Sequence, residues 1–317
     1  MSMRPAWSVL FLTTWIGCAQ GLAVALTLVA LGAFGGLSVA HGAAQGVAQL
    51  ALLIVLLLGA GGLAASFLHL GRPERAWRAA AMWRTSWLSR EVIALPAFLG
   101  VAALCWAALR WGGTLPQVLA FLLLALAAAV LWVCTAMIYA GVRFIREWAT
   151  SWTLVNFVLM GLASGFILAA LLFAWHGLPA RGLAASALAL TLAAALARTA
   201  LFLRNARLQP AGSLATAIGV RSGDIRQISR GFTAGSFNLH EFTHGASAKR
   251  VAAVQMGFAV LGFGLPLALL GAAAGAAQPT AWLLAAWLLH MAGLVLERWW
   301  FFAQVQHPQN RYYAAAH

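Results

Sequence analysis

The chain has 317 residues, of which 63% are hydrophobic and only 8% are charged, with a net charge of +14 and a mean hydropathy of +0.88. Soluble domains carry roughly 25% charged residues, so this composition excludes a soluble globular protein. The apolar runs are long and uncharged, whereas the strands of a membrane barrel would alternate over about ten residues. We therefore predict an all-α integral membrane protein that forms a single transmembrane helical domain over residues 1–317.

Eight apolar runs are long enough to cross a membrane. Each contains about 20 residues, which is the length that the hydrocarbon core of a bilayer requires of a helix. The sequence therefore predicts a bundle of about eight transmembrane helices. Their expected limits are Trp7 to Leu31, Gly46 to Leu70, Glu91 to Arg110, Gln117 to Tyr139, Trp152 to Trp175, Gly182 to Leu203, Val251 to Gly275 and Thr280 to Gln304.

The basic residues indicate how these spans are oriented. An even number of spans puts both termini and the second, fourth and sixth connections on one side. That side receives all of the 20 lysines and arginines except Arg110 and Arg181. Because basic connections stay in the cytoplasm, both termini are predicted to be cytoplasmic. The net charge is then explained by topology, and we expect no nucleic-acid partner.

Small and sulfur-containing residues inside the spans are predicted to serve packing. Gly17 with Gly21, and Gly271 with Gly275, have the four-residue spacing that lets two helices approach closely. The three cysteines lie in apolar runs and lack the spacing of a zinc or iron–sulfur site, so we expect no metal bound to them. These cysteines are Cys18, Cys105 and Cys134.

Two proton-exchanging groups bound a short arginine-rich stretch between the second and third spans. His69 ends one span and Glu91 begins the next, so both are expected at the same level of neighbouring helices. Reducing a quinone takes two electrons and two protons, so each ring oxygen needs a proton donor or acceptor. We predict that His69 and Glu91 are the catalytic pair of a quinone site, with Arg72 and Arg75 tuning it or meeting lipid phosphate. Both residues could instead have ordinary roles at helix ends. His69 would be favoured by the helix dipole at a C-terminus, and Glu91 would be a first-turn acid after a cap at Ser89.

The eighth span carries further ionisable residues. His290 and Glu297 are seven residues apart and share one helical face, and Arg298 follows directly. Charge in hydrocarbon costs several kcal/mol, so we expect Glu297 and Arg298 to pair with other buried groups rather than to react. Only His69 and His290 lie on spans at the level of a possible haem, which favours a subunit without haem.

The connection between the sixth and seventh spans, residues 204–250, is unusually long for a compact bundle. It mixes basic residues with Gly, Ser, Phe and Ile, so we predict a docking surface for a cytoplasmic partner. A solvated basic loop near anionic lipid is the alternative. The candidate docking residues are Arg221, Arg226, Arg230, Phe237, His240 and His244.

The same loop contains a formal metal motif. His240, Glu241 and His244 match the HExxH pattern in which two histidines bind zinc and the glutamate acts as a base. The loop setting and the lack of an evident third ligand argue against a metal here, so we assign none.

Three segments together resemble a known family. HLGRPERAWRA, the following SWLSRE and the late ERWWFFAQVQH are similar to the membrane anchor subunit of dimethyl sulfoxide reductase and its relatives. The resemblance extends over essentially the whole chain. The long loop, with LATAIGVRSGDIRQISRGFTAGSFNLHEFTHG, looks most like the branch that serves cytoplasmic sulfite dehydrogenases.

The resemblance implies a three-subunit complex in a bacterial inner membrane. A molybdopterin catalytic subunit and a four-cluster iron–sulfur subunit, the latter in direct contact with this chain, would lie on the cytoplasmic face. This chain would exchange electrons with ubiquinone or menaquinone and bind no haem. The family's quinol-binding His and Glu correspond to His69 and Glu91, and its late Arg to Arg298. A Glu about four residues before that Arg is replaced by Leu294, so no role passes to Glu297.

Sulfite oxidation coupled to quinone reduction is the predicted reaction of the complex. Within the family, the alternative is menaquinol oxidation coupled to sulfoxide reduction. Outside it, a proton-coupled transporter could use His69, Glu91 and Glu297 as a relay, and HEFTH could mark a zinc membrane protease. A transporter is expected to show internal repeats or broken helices, and no convincing repeat relates the two halves of the sequence.

Overall fold

The described part of the protein consists almost entirely of long helices. A computed structural model describes residues 7–35, 37, 39, 42–67, 72–209, 214–219 and 247–305. The α-helices are α1 (Trp7–Ala30), α2 (Gly42–Phe67), α3 (Trp87–Trp111), α4 (Thr114–Ala140), α5 (Ser151–Trp175), α6 (Arg181–Ala206), α7 (Leu214–Ile218), α8 (Ala248–Ala259), α9 (Leu265–Gly275) and α10 (Thr280–Ala303). A 3-10 helix covers Pro73–Ala80, and a π-helical turn, Val260–Gly264, joins α8 to α9.

The predicted number of spans is confirmed. Eight helices in the described ranges are long and apolar enough to cross a membrane, with α8, the π turn and α9 forming one span over Ala248–Gly275. The third span begins earlier than predicted, at Trp87. Its cap is Ser86, whose hydroxyl accepts a hydrogen bond from the Ser89 backbone N–H at 3.3 Å. The expectation of a cap at Ser89 was therefore wrong, and Glu91 lies in the second turn.

The spans pack as two groups of four with the same order of neighbours. In the first group α1 packs on α2, α2 on α3, α3 on α4, and α4 back on α1. In the second group α5 packs on α6, α6 on α9, α9 on α10, and α10 back on α5. The halves are joined chiefly by α1 against α5, which are also the most buried spans. The two halves therefore share the order in which their spans contact each other.

Glycines allow α1 and α5 to touch backbone to backbone. A Cβ added at Gly165 would lie 2.1 Å from the backbone of Gly21, and one added at Gly161 would lie 2.8 Å from the carbonyl oxygen of Gly17. Such distances leave no room for a side chain, so the helices meet through bare backbone. The predicted packing role of Gly17 and Gly21 is confirmed. The same prediction for the glycines at 271 and 275 was wrong, since both face open space.

One end of the bundle carries most of the described basic residues. The chain enters α1, α3, α5 and α8 at this end and leaves α2, α4, α6 and α10 there, because successive spans alternate in direction. We call it the basic end. Here Arg204 donates a hydrogen bond to the Arg146 carbonyl at 3.0 Å, and Arg146 donates to the Gln209 carbonyl at 2.9 Å. These bonds attach the α4–α5 connection to the end of α6.

Candidate functional site

Glu91 points between helices rather than into solvent. Its position in the second turn of α3 turns the carboxylate toward α4, where the Thr135 hydroxyl donates a hydrogen bond to Oε1 at 2.5 Å. Thr135 is buried, and Glu91 is partly buried. A hydroxyl that fixes one carboxylate oxygen leaves the other available, so this pair can hold and pass a proton near the basic end.

An apolar cleft lies between α3 and α4; Glu91 and Thr135 do not line it, but their chain neighbours Arg90 and Cys134 do. Its volume is about 620 Å³, within the usual range for small-molecule sites. Ile93, Val130 and Val133 line the cleft and are exposed, so it opens toward the surroundings of the bundle. The described residues that line it are Trp83, Trp87, Arg90, Ile93, Ala94, Ala97, Ala129, Val130, Val133 and Cys134.

Arg90 supplies the charged group of the cleft and is held in a fixed position. Its Nε donates to the Trp83 carbonyl and its Nη2 to the Arg84 carbonyl, both at 2.9 Å. The guanidinium also lies 4.1 Å from the ring centroid of Trp87. These contacts close the basic end of the cleft with a cation whose geometry is set by the backbone before α3.

The other residues predicted for this site occupy different places. His69 lies outside the described residues. Arg72 and Arg75 are exposed at the 3-10 helix, and neither is among the described residues that line the cleft. Arg75 forms a loose ion pair with Glu74 at 3.9 Å. The predicted docking residues and the HEFTH motif also lie outside the described ranges, within which no cluster of potential metal ligands occurs.

Arg298 belongs to a second site, a buried cluster of three charges. Glu297 binds Arg198 of α6 through Oε1 at 2.7 Å and Arg298 through Oε2 at 2.8 Å. All three side chains are at least 95% buried. The expectation that Glu297 and Arg298 pair with buried groups is confirmed. The assignment of Arg198 to the charged face, together with the loop residues, was wrong, because it lies within the bundle.

Aromatic rings and a sulfur atom surround the Arg298 guanidinium. It lies 4.0 Å from the ring centroid of Phe157 and 5.2 Å from that of Phe301, and it donates to the Met160 sulfur at 3.0 Å. Stacking of this kind suits the weakly hydrated guanidinium and lowers the cost of burying it.

Tyr139 of α4 lies between the two sites. Its ring packs against Phe157 and Phe301 with centroid distances of 5.8 and 5.4 Å. Tyr139 lies one helical turn after Thr135 on α4, and Phe157 and Phe301 also contact the Arg298 guanidinium. Glu91 and Arg298, which the resemblance grouped together, therefore lie in two separate sites: Glu91 binds Thr135, and Arg298 binds Glu297.

His290 anchors the π-helical turn. Its Nδ1 is 2.5 Å from the carbonyl oxygen of Gly262, which lies in the π-helical turn. The imidazole is fully buried and packs edge-on against Phe263. This contact gives His290 a structural role between α10 and the seventh span.

Three important residues were missed by the sequence reasoning. Thr135 carries no signal on its own, because a threonine in an apolar run most often bonds the backbone of its own helix. Tyr139 was expected only as the last residue of the fourth span. Arg198 could have been found, because it lies five residues inside the predicted sixth span, where an unpaired charge is costly.

Comparisons with known proteins place the chain in a family. Its eight apolar spans, with ionisable side chains buried between them, define a multi-pass integral membrane protein. A family model described as DMSO reductase anchor subunit (DmsC) matches residues 1–303. The C subunit of sulfite dehydrogenase from Allochromatium vinosum is 44% identical over 324 residues, covering 98% of this chain and 99% of that protein. The chain belongs to the DMSO reductase anchor subunit family and is thus a membrane anchor subunit of an oxidoreductase.

Proposed function

We propose that this chain is the quinone-reacting subunit of a molybdopterin oxidoreductase complex that couples sulfite oxidation to quinone reduction. The observation that carries the proposal is a proton-exchanging carboxylate, Glu91, which is held by Thr135. The chain neighbours of this pair, Arg90 and Cys134, line an apolar cleft large enough for a quinone ring. Family membership supports an anchor subunit over a transporter or a zinc protease.

The chemistry of the cleft suits a quinone with an isoprenoid tail. The apolar walls accept the ring, and the side that opens toward the bilayer lets the tail remain in lipid. Arg90 would stabilise negative charge that develops on a ring oxygen as electrons arrive. Glu91 would transfer one of the two protons, and His69 remains our candidate for the other.

The partners follow from the same proposal. An iron–sulfur subunit would bind at the basic end, on the cytoplasmic side of a bacterial inner membrane, and pass electrons from a molybdopterin subunit. The exposed 3-10 helix and the loop residues 204–250 would contribute to docking. The chain itself would bind no haem.

The runner-up reverses the direction of electron flow. As the anchor of a dimethyl sulfoxide reductase, the same cleft would oxidise menaquinol and release its protons through Glu91. The description of the matching family model favours this candidate. The 44% identity to a sulfite dehydrogenase subunit over nearly the full length favours sulfite oxidation.

Glu91→Gln tests the proposal in the purified complex. Sulfite oxidation with a soluble dye as acceptor should be unchanged, whereas sulfite-dependent reduction of a short-tailed quinone should fall roughly 100-fold, the usual contribution of a general acid or base. Unchanged quinone reduction would exclude the assigned role. A complex that oxidises menaquinol with a sulfoxide but does not oxidise sulfite would establish the runner-up.

The cleft is tested separately by filling it. Ala97 lines the cleft and is exposed, so Ala97→Trp should block quinone reduction without disturbing the bundle. Ala103 is also exposed and does not line the cleft, since it lies about 120° around α3 from Ala97, and Ala103→Trp is the matched control. Equal activities of the two variants would count against this cleft as the quinone site.

A further inference from the structure

A second cavity adjoins the buried charge cluster. It occupies about 540 Å³ between α6 and the seventh span, and Arg198 lines it. Its walls include the rings of Phe202, Phe258 and Phe263. It is separate from the α3–α4 cleft, because the two share no lining residue.

Arg198 lines this cavity and carries hydrogen-bond donors that have no partner among the described residues. The side chain is only 2% exposed, and its Nη1 and Nη2 have no hydrogen-bond partner within the described part of the chain. Its Nε lies 2.7 Å from Oε1 of Glu297. A buried guanidinium with two unpaired nitrogen groups is costly, so an acceptor oxygen supplied by a ligand would be strongly favoured.

The depth of Arg198 limits the kind of acceptor. It lies eight residues before Ala206 at the end of α6, about 12 Å along the helix axis. If a helix of this length is centred in the bilayer, Arg198 is roughly 7 Å inside the hydrocarbon core. A phosphate would have to leave the headgroup layer to reach it, at a high desolvation cost. A neutral carbonyl oxygen carries no charge, so it can reach this depth without that desolvation cost.

We infer that this cavity is a second quinone site, in which a ring carbonyl accepts hydrogen bonds from Arg198. The half-buried amide of Gln255 also lines the cavity and can donate to the ring. The three phenylalanine rings supply apolar faces for a planar head. Exposed Ala252 and Ala259 lie at the open side, where the isoprenoid tail reaches lipid. This inference rests on the proposed function, since it assumes that quinone is a ligand of the chain.

Photolabelling with an azido-quinone tests the inference on the intact complex. The complex is reconstituted in phosphatidylcholine nanodiscs, labelled, and mapped by mass spectrometry of its peptides. We expect label in the segment 252–267 as well as in the segment 83–134, and both should disappear with excess unlabelled quinone. Ala252→Trp should reduce label in 252–267 at least about tenfold and leave 83–134 unchanged.

A matched control and three outcomes make the test decisive. Ala253 is exposed but does not line the cavity, so Ala253→Trp should keep both labels. Label in 83–134 alone would overturn the inference and leave the proposed function standing. Label in neither segment would overturn both. Label in 252–267 that is displaced by phosphatidylglycerol, and not by unlabelled quinone, would identify a lipid site and overturn the inference.

Discussion

Glu297→Gln should be among the most destabilising single changes in the bundle. The substitution keeps the shape of the side chain but removes the only negative charge of a cluster in which Arg198 and Arg298 are both at least 95% buried. Two ion pairs, at 2.7 and 2.8 Å, are lost together. Breaking a buried pair by neutralising one partner typically costs about 3–5 kcal/mol. That cost corresponds to a factor of roughly 100 or more in the folding equilibrium.

Arg198→Gln is the matched comparison. It retains the pair between Glu297 and Arg298 and leaves the cluster with no net charge, so its cost should be clearly smaller. The assay heats the detergent-solubilised complex and measures the fraction that remains monodisperse by size-exclusion chromatography. If Glu297→Gln is as stable as wild type, or if Arg198→Gln is equally damaging, the charge balance of the cluster does not stabilise the bundle.

Two further changes probe other contacts. Gly165→Ala places a Cβ 2.1 Å from the backbone of α1, so it should separate α1 from α5 and cost about 1–3 kcal/mol in the same heating assay. Gly271→Ala, which meets nothing within 4 Å, should be neutral or slightly stabilising, and similar effects of the two would contradict the close approach. Thr135→Val removes the hydroxyl that binds Glu91 and should slow quinone reduction about tenfold while dye reduction continues. If Thr135→Val reduces quinone as fast as the wild-type complex, this hydroxyl is dispensable.

The candidate site could be predicted only in part. Glu91 was identified because an ionisable side chain at membrane depth is a functional candidate and because it lies across a short connection from His69. The structure adds its partner Thr135 and the cleft between α3 and α4. Arg298 was grouped with Glu91 by resemblance, but it lies in the separate charged cluster with Glu297 and Arg198. The roles of both in quinone binding, and that of His69, remain predictions.

The amino-acid sequence by itself determined the number of spans and the ends at which basic residues collect. Both depend on local composition: a helix crosses the bilayer when about 20 consecutive residues are apolar, whatever its neighbours are. Tertiary structure alone decided the order in which the spans pack and the partners of Glu297. It also decided that Gly21, and not Gly271, is a contact point between helices. Lipid-facing and helix-facing residues are equally apolar in a membrane protein, so hydrophobicity does not reveal which side of a span meets another helix. Only the packed bundle shows which glycines touch and which charges pair.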